Sequence, residues 1–220
     1  MARQNVVNKT SASLTIIPGA AGDSFIQYAL EATDKFRIGV DDDAADAFKM
    51  SVGGALGAND TFIMTAAGER TMPLQPAFLA YITTLIENVT GDGTVYTVIW
   101  DAEVFDQNAD FNTTTGEFTA PCDGRYRFAV SISYEGILVG HTTANINLFT
   151  SNKSYTGGRA SYASLANAGM MSRSVTALVD MDATDVAYVQ TTVSNSTKVV
   201  DINNISAPDL RSWFSGYLDC

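Results

Sequence analysis

From Tyr126 to Tyr134 the chain places an apolar residue at every second position: Tyr126, Phe128, Val130, Ile132 and Tyr134 alternate with Arg127, Ala129, Ser131 and Ser133. Successive side chains on a strand point to opposite faces, so this period of two predicts a strand with one buried face and one open face. Phe118, Tyr126, Phe128, Val130 and Ile132 are accordingly expected in a core, with Phe214 and Leu218 from the alternating C-terminal run. The approach to the strand is a corner: Pro121 lacks the N–H a ladder needs, and Gly124 can take a positive φ that turns the chain back into a sheet.

A half-buried strand needs partners, and the chain from Ala77 to Cys220 offers them. Candidate strands run over 78–82, 95–100, 117–120, 125–134, 143–150, 175–181, 186–193 and 213–218. Gly91-Asp92-Gly93, Thr115-Gly116, Gly157-Gly158 and Asp182-Ala183-Thr184-Asp185 supply the turns between them. Strands at such spacing predict an all-β sandwich, of which a jelly roll is one solution. Ser151 to Arg173 is rich in Gly, Ser and Ala and reads as a long loop.

The front of the chain reads differently. Short apolar pieces at 14–17, 25–30, 36–40, 48–50 and 61–64 are separated by Gly, Asn and Asp clusters. Strands of a few residues offer little burial against a backbone ordering cost of ~1–2 kcal/mol per residue, so this region is expected to need partner chains. Phe36, Ile38 and Val40, with Arg37 and Gly39 between, fit a strand whose apolar side meets copies of itself. Pro73 and Pro76 hold the residues before them extended and mark a boundary. The expected division is residues 1–72, a short-strand stem for attachment and trimerisation, and residues 73–220, a head.

The net charge of −11, from 13 basic and 24 acidic residues, argues against a nucleic-acid partner. No apolar run reaches the ~18 residues needed to span a bilayer, so membrane insertion is not expected. Met1-Ala2-Arg3-Gln4-Asn5 opens without an apolar stretch behind its charge, so no secretory leader is expected. Cys122 and Cys220 leave their pairing open.

Catalytic chemistry has little to stand on. His141 is the only histidine, so any Ser- or Cys-based triad must use it. Cys122 sits at a strand corner and reads as a small packed thiol. Gly53-Gly54-Ala55-Leu56-Gly57 lacks the Lys-Ser/Thr of a phosphate loop and reads as a turn. Asp41, Asp42, Asp43 and Asp46 form the densest carboxylate cluster, yet an EF-hand count from Asp41 puts Ala45, Asp46 and Val52 where a ligand, a glycine and a bidentate glutamate belong. The cluster reads as a solvated acidic turn. No catalytic residue, cofactor or metal is therefore expected, and the chain is not expected to be an enzyme.

The run Thr115-Gly116-Glu117-Phe118-Thr119-Ala120-Pro121, then Gly124-Arg125-Tyr126-Arg127-Phe128, resembles the segment TG-x-F-T-x-P-x-x-G-x-Y-x-F of complement C1q-like globular heads. Phe214-Ser215-Gly216-Tyr217-Leu218 is similar to that family's closing strand. The resemblance implies a C1q/TNF-like jelly roll of ten strands that assembles as a homotrimer. No Gly-X-Y repeat precedes it. Instead, Phe36-Arg37-Ile38-Gly39-Val40-Asp41-Asp42-Asp43, Phe48-Lys49-Met50-Ser51, Leu56-Gly57 and Asn59-Asp60 resemble segments found before such heads in phage tail-fibre and other virion proteins.

These readings converge on a homotrimeric virion appendage. Its stem would meet other virion proteins, and its head would meet a host-surface glycan or protein. The alternatives are a capsid decoration without a receptor and a cellular extracellular adhesin or lattice protein. Recognition is expected on loops held by the rigid sandwich, with Tyr155, Arg159 and Tyr162 as the candidate binding residues.

Overall fold

The computed structural model describes residues 22–161, 169–204 and 209–220. Two compact units divide the chain, Met1–Leu74 and Gln75–Cys220. Among the described residues the only helical element is one 3-10 turn, Asp42–Ala44.

The N-terminal unit is a five-stranded antiparallel meander of β1 (Ser24–Leu30), β2 (Thr33–Asp41), β3 (Ala47–Val52), β4 (Asp60–Met64) and β5 (Arg70–Thr71). The strands are longer than the apolar pieces alone indicate: β2 runs for nine residues, because polar Thr33, Asp34 and Lys35 continue the ladder past Phe36. The candidate strand 14–17 lies outside the described residues. Register sorts the side chains cleanly. Ile26, Ile38, Met50 and Phe62 lie in one row across β1 to β4. Tyr28, Phe36 and Val52 flank that row on one side, and Val40, Phe48 and Met64 on the other. All of these share one face. The other face carries Phe25, Arg37, Gly39, Asp41, Lys49 and Ser51, with the Arg37 guanidinium 4.1 Å from the centre of the Phe25 ring. A side chain at Gly39 would sit 2.6 Å from the Phe25 Cα, which explains the glycine there.

This second face holds a small polar core. The Lys49 Nζ lies 2.7 Å from an Asp41 carboxylate oxygen and 3.0 Å from one of Asp60, and all three side chains are buried. Asp60 also accepts from Ser51 Oγ at 2.5 Å and from the Gly57 N–H at 2.9 Å. The acidic cluster is therefore not uniformly solvated. Asp41 faces inward because the alternation of β2 puts it beside Lys49, while Asp42 and Asp43 stay exposed in the 3-10 turn. The Gly53–Gly57 segment is the β3–β4 connection, and it folds Leu56 into this core.

The C-terminal unit is a two-sheet sandwich, as the alternation predicts. One sheet has the order β7–β17–β12–β18–β6–β9, with β15 on the other edge of β12. Its strands are β6 (Ala77–Tyr81), β7 (Ile86–Thr90), β9 (Ala102–Gln107), β12 (Gly124–Ile137), β15 (Gly169–Met181), β17 (Val200–Asn203) and β18 (Trp213–Leu218). The second has the order β10–β11–β16–β13–β14, with β8 on β16. Its strands are β8 (Val95–Thr97), β10 (Phe111–Asn112), β11 (Glu117–Thr119), β13 (Thr143–Thr150), β14 (Ser154–Ser161) and β16 (Val186–Ser194). Every strand pairing of this unit among the described residues is antiparallel.

The core is an aromatic cluster between the sheets. Phe78 stacks on Phe111 and Phe118 with centroids 4.6 and 5.2 Å apart, and meets Phe214 edge-on at 4.9 Å. Tyr126, Phe128, Val130 and Ile132 all project into this core and are buried, as are Phe118 and Phe214; Leu218 packs at its edge. The corner works differently from the sequence expectation. Gly124 is not in the left-handed region; a Cβ there would approach Leu218 Cδ1 at 2.7 Å and the Cys220 carbonyl oxygen at 3.0 Å, so close packing rather than a positive φ favours the glycine. The positive φ falls instead at Gly116, at +73°, where the β10–β11 turn passes against the Val98 carbonyl.

Candidate functional site

A two-layer sandwich ordinarily spends one face of each antiparallel sheet on the core and leaves the other polar. The sheet containing β12 departs from this. On β18, Phe214 and Gly216 face the core while Trp213, Ser215 and Tyr217 face outward. Register places Leu79 of β6 opposite Ser215, and Phe105 of β9 opposite Leu79. Farther across, Leu178 of β15 lies opposite Arg127, which lies opposite Tyr217.

Large apolar side chains thus stand on the outward face of β9, β6, β18 and β15, while β12 between them presents Arg127, Ala129 and Ser131. Phe105 is 48% exposed, Leu178 46% and Tyr217 44%. Between Leu79, Phe105, Leu210, Trp213, Ser215 and Tyr217 the surface sinks into an open groove of about 420 Å³. Arg127 is the charged side chain standing among them. Apolar area that is contiguous and rimmed by polar groups marks a contact surface rather than a solvated face. Just beyond, Glu103 is held above the ordinary carboxyl range, first by burial and then by the Asp106 charge. Asp106 itself is engaged, accepting from the Asp110 and Phe111 N–H groups at 3.2 and 3.0 Å.

The second sheet, that of β10, β11, β16, β13, β14 and β8, shows the opposite character. Asn147, Gln190, Thr97 and Thr156 lie in adjoining register on its outward face, where Thr156 Oγ1 donates to Asn147 Oδ1 at 2.8 Å and Gln190 Nε2 to Thr97 Oγ1 at 3.0 Å. Phe149 and Tyr188 stack beside them at 5.3 Å.

Of the three sequence candidates, Tyr155 and Arg159 fall within the described residues, and both lie on a strand. Residues 154–161 form β14, an edge strand on β13, and Gly169 to Arg173 open β15. The segment extends because β13 has a free edge whose N–H and C=O groups need partners. Tyr155 stands opposite Leu148 and packs against the core, so its ring is not a free recognition surface. Arg159 lies on β14, and Tyr162 falls outside the described residues.

The catalytic alternatives find no geometry. His141 is buried, with Nδ1 accepting from the Leu138 N–H at 2.8 Å and Nε2 3.0 Å from the Thr197 carbonyl, so the ring pins loops to one another. Cys122 is exposed rather than packed, because the corner lifts it out of the strand, and both it and Cys220 are free thiols. Among the described residues no group of three or more His, Cys, Asp or Glu side chains is placed to hold a metal. Trp213, Tyr217, Leu79 and Phe105 were missed as site residues. The available signal was that 213–218 carries large side chains at both parities, so that one aromatic set had to lie outside the core.

Comparison with curated proteins gives no match. Among solved structures, the globular domain of zebrafish complement 1qA protein is similar at 18% identity and a TM-score of 0.44, covering 66% of this chain and 98% of that one. Eiger TNF from S. frugiperda gives 12% identity and 0.46, covering 67% and 92%. Murine APRIL gives 8% and 0.43, covering 66% and 98%. The family profile of the C1q domain matches residues 77–218, a span that begins with β6 and ends with β18 and takes in the aromatic core and the apolar outward face alike. The chain belongs to the C1q domain family.

Proposed function

We propose that the protein is a homotrimeric virion appendage whose C1q-type head meets a host surface and whose N-terminal unit is the stem that joins it to other virion proteins. One observation carries the trimer: the outward face formed by Leu79, Phe105, Leu178, Trp213 and Tyr217, which a solitary sandwich would leave polar. A closed ring of copies buries such a face on every subunit and leaves none exposed. The virion assignment is supported by the stem segments that resemble those preceding such heads in phage fibres. The second sheet of the head, with its uncharged amide, hydroxyl and aromatic groups, then remains available to a host glycan or protein. The reading gives the protein a structural and binding role without a catalytic residue or a cofactor.

Light scattering of the purified protein at micromolar concentration tests the assembly. The expected mass is three times the 23.5 kDa of one chain; a mass of one chain overturns the trimer. Attachment is tested by adding purified protein to host cells before particles. Reduced adsorption is expected, and unchanged adsorption at saturating protein removes the receptor role in favour of a capsid decoration.

A further inference from the structure

We propose that the apolar face of the N-terminal sheet is a self-association surface in its own right, on which copies of the chain pack apolar face against apolar face. The contact is read from the sheet alone; only the number of copies, three, rests on the trimeric reading above.

The sheet is a single layer with two unlike faces. One face is closed by its own polar core around the buried Lys49, and the β3–β4 connection folds Leu56 over it. The other presents the row Ile26, Ile38, Met50 and Phe62, flanked by Tyr28 and Phe36. In the single chain Tyr28 and Phe36 are each 55% exposed, and Met50 42%. Four strands about 4.8 Å apart and some six residues long give a plane of roughly 400 Å². Side chains standing on it about double the accessible area, which approaches the ~800 Å² per partner of a standard stable interface.

Three features select a second copy of the chain as the occupant. The face lacks charged side chains inside its grid, with Asp34 and Arg70 only at the rim by register, so a chain of net charge −11 can meet itself here without opposing like charges. The open depression of about 400 Å³ on this face, between Tyr28, Phe36, Ile38, Met50 and Thr61, is lined by large apolar side chains of the kind that an identical face brings to it. Residues 72–76 alone separate β5 from β6, so any assembly of the head holds the N-terminal sheets at an effective concentration on the order of millimolar.

The test uses the full chain with Cys122 and Cys220 changed to Ser and one new thiol introduced. Met50→Cys places the thiol at the centre of the face, and Ala67→Cys, in the exposed β4–β5 turn, is the control. Each is treated with a short bis-maleimide and run on a denaturing gel, with the native mass measured on the same sample. The expected result is that up to about two-thirds of the Met50→Cys chains move into covalent dimer, since one thiol per chain lets the reagent join two of three copies, while Ala67→Cys stays monomeric. Phe36→Cys repeats the reading should Met50→Cys fold poorly. A trimeric mass with Met50→Cys labelled as fast as Ala67→Cys shows an open face and overturns the proposal. A trimeric mass with Met50→Cys shielded but not joined overturns it too, since another part of the same chain then covers the face. Both outcomes leave the trimer standing, whereas a one-chain mass removes the trimer and this contact together.

Discussion

Phe128 and Gly216 stand opposite each other in the β12–β18 ladder, and their pairing explains the glycine at the centre of β18. The Phe128 ring lies across Gly216, where a Cβ would collide with it and would meet Phe78 at 2.7 Å. Phe128 touches Phe78, Phe118, Tyr126 and Phe214 in the same cluster. Truncating it removes buried ring area and leaves a cavity the surrounding rings cannot close, so Phe128→Ala is expected to destabilise the head by ~3–5 kcal/mol. Arg127, one position earlier, points away from this core, so Arg127→Ala leaves no cavity in it and is expected to cost the fold of the head much less than Phe128→Ala. Chemical denaturation followed by tryptophan fluorescence checks both, and equal losses would place the strand in the wrong register. The alternation was legible here because aromatic and β-branched residues fill one parity of β12 and small or polar ones the other.

At the scale of elements, legibility followed how much of its own hydrophobic pattern each strand carries. β12, β13, β16 and β18 show theirs in sequence. β7, β9 and β17 do not, since β7 and β9 carry no strict alternation of apolar and polar residues and β17 is only four residues long. β14 was read as loop because 154–161 is small and polar, and composition says nothing about an open edge on β13. In the N-terminal unit, the parity of Phe36, Ile38 and Val40 was visible, but a buried lysine between two aspartates looks in sequence like any solvated charge. The β14 assignment has a measurable consequence. If Tyr155 packs against the core from an edge strand, then Tyr155→Ala is expected to cost the head about 1–3 kcal/mol. It should leave host adsorption intact once the protein is folded. A variant of unchanged melting temperature that no longer adsorbs would return this residue to a recognition role.

The whole molecule joins two units whose ionisable groups answer acid in opposite directions. In the N-terminal unit, burial works against the Asp60 charge, but hydrogen bonds from Ser51, Lys49 and Gly57 outweigh it and hold the carboxyl below its ordinary value of 3.8. Lys49, hydrogen-bonded to Asp41, is held above 10.5 despite its burial. The Asp60 contribution is therefore complete above the unfolded value of 3.8 and lost as pH falls through the folded one; the Lys49 contribution is complete below 10.5 and lost as pH rises through its folded value. In the head, Glu103 and Asp110 are raised, chiefly by burial, so their cost is relieved as they take up protons on acidification. Asp92 is lowered by Thr94 but sits in an exposed turn, where solvent screens its effect. Acidification below about pH 4 is thus expected to open the N-terminal unit while the head holds. Both tryptophans, Trp100 and Trp213, lie in the head, so far-ultraviolet circular dichroism should lose part of its sheet signal in acid while tryptophan fluorescence stays native. Lys49→Met makes the same separation at neutral pH, because it leaves two buried carboxylates without their cation, a loss of about 3–5 kcal/mol. If both signals change together in acid and in the variant, the two units fold as one and the ion pair of the N-terminal unit is not what limits it.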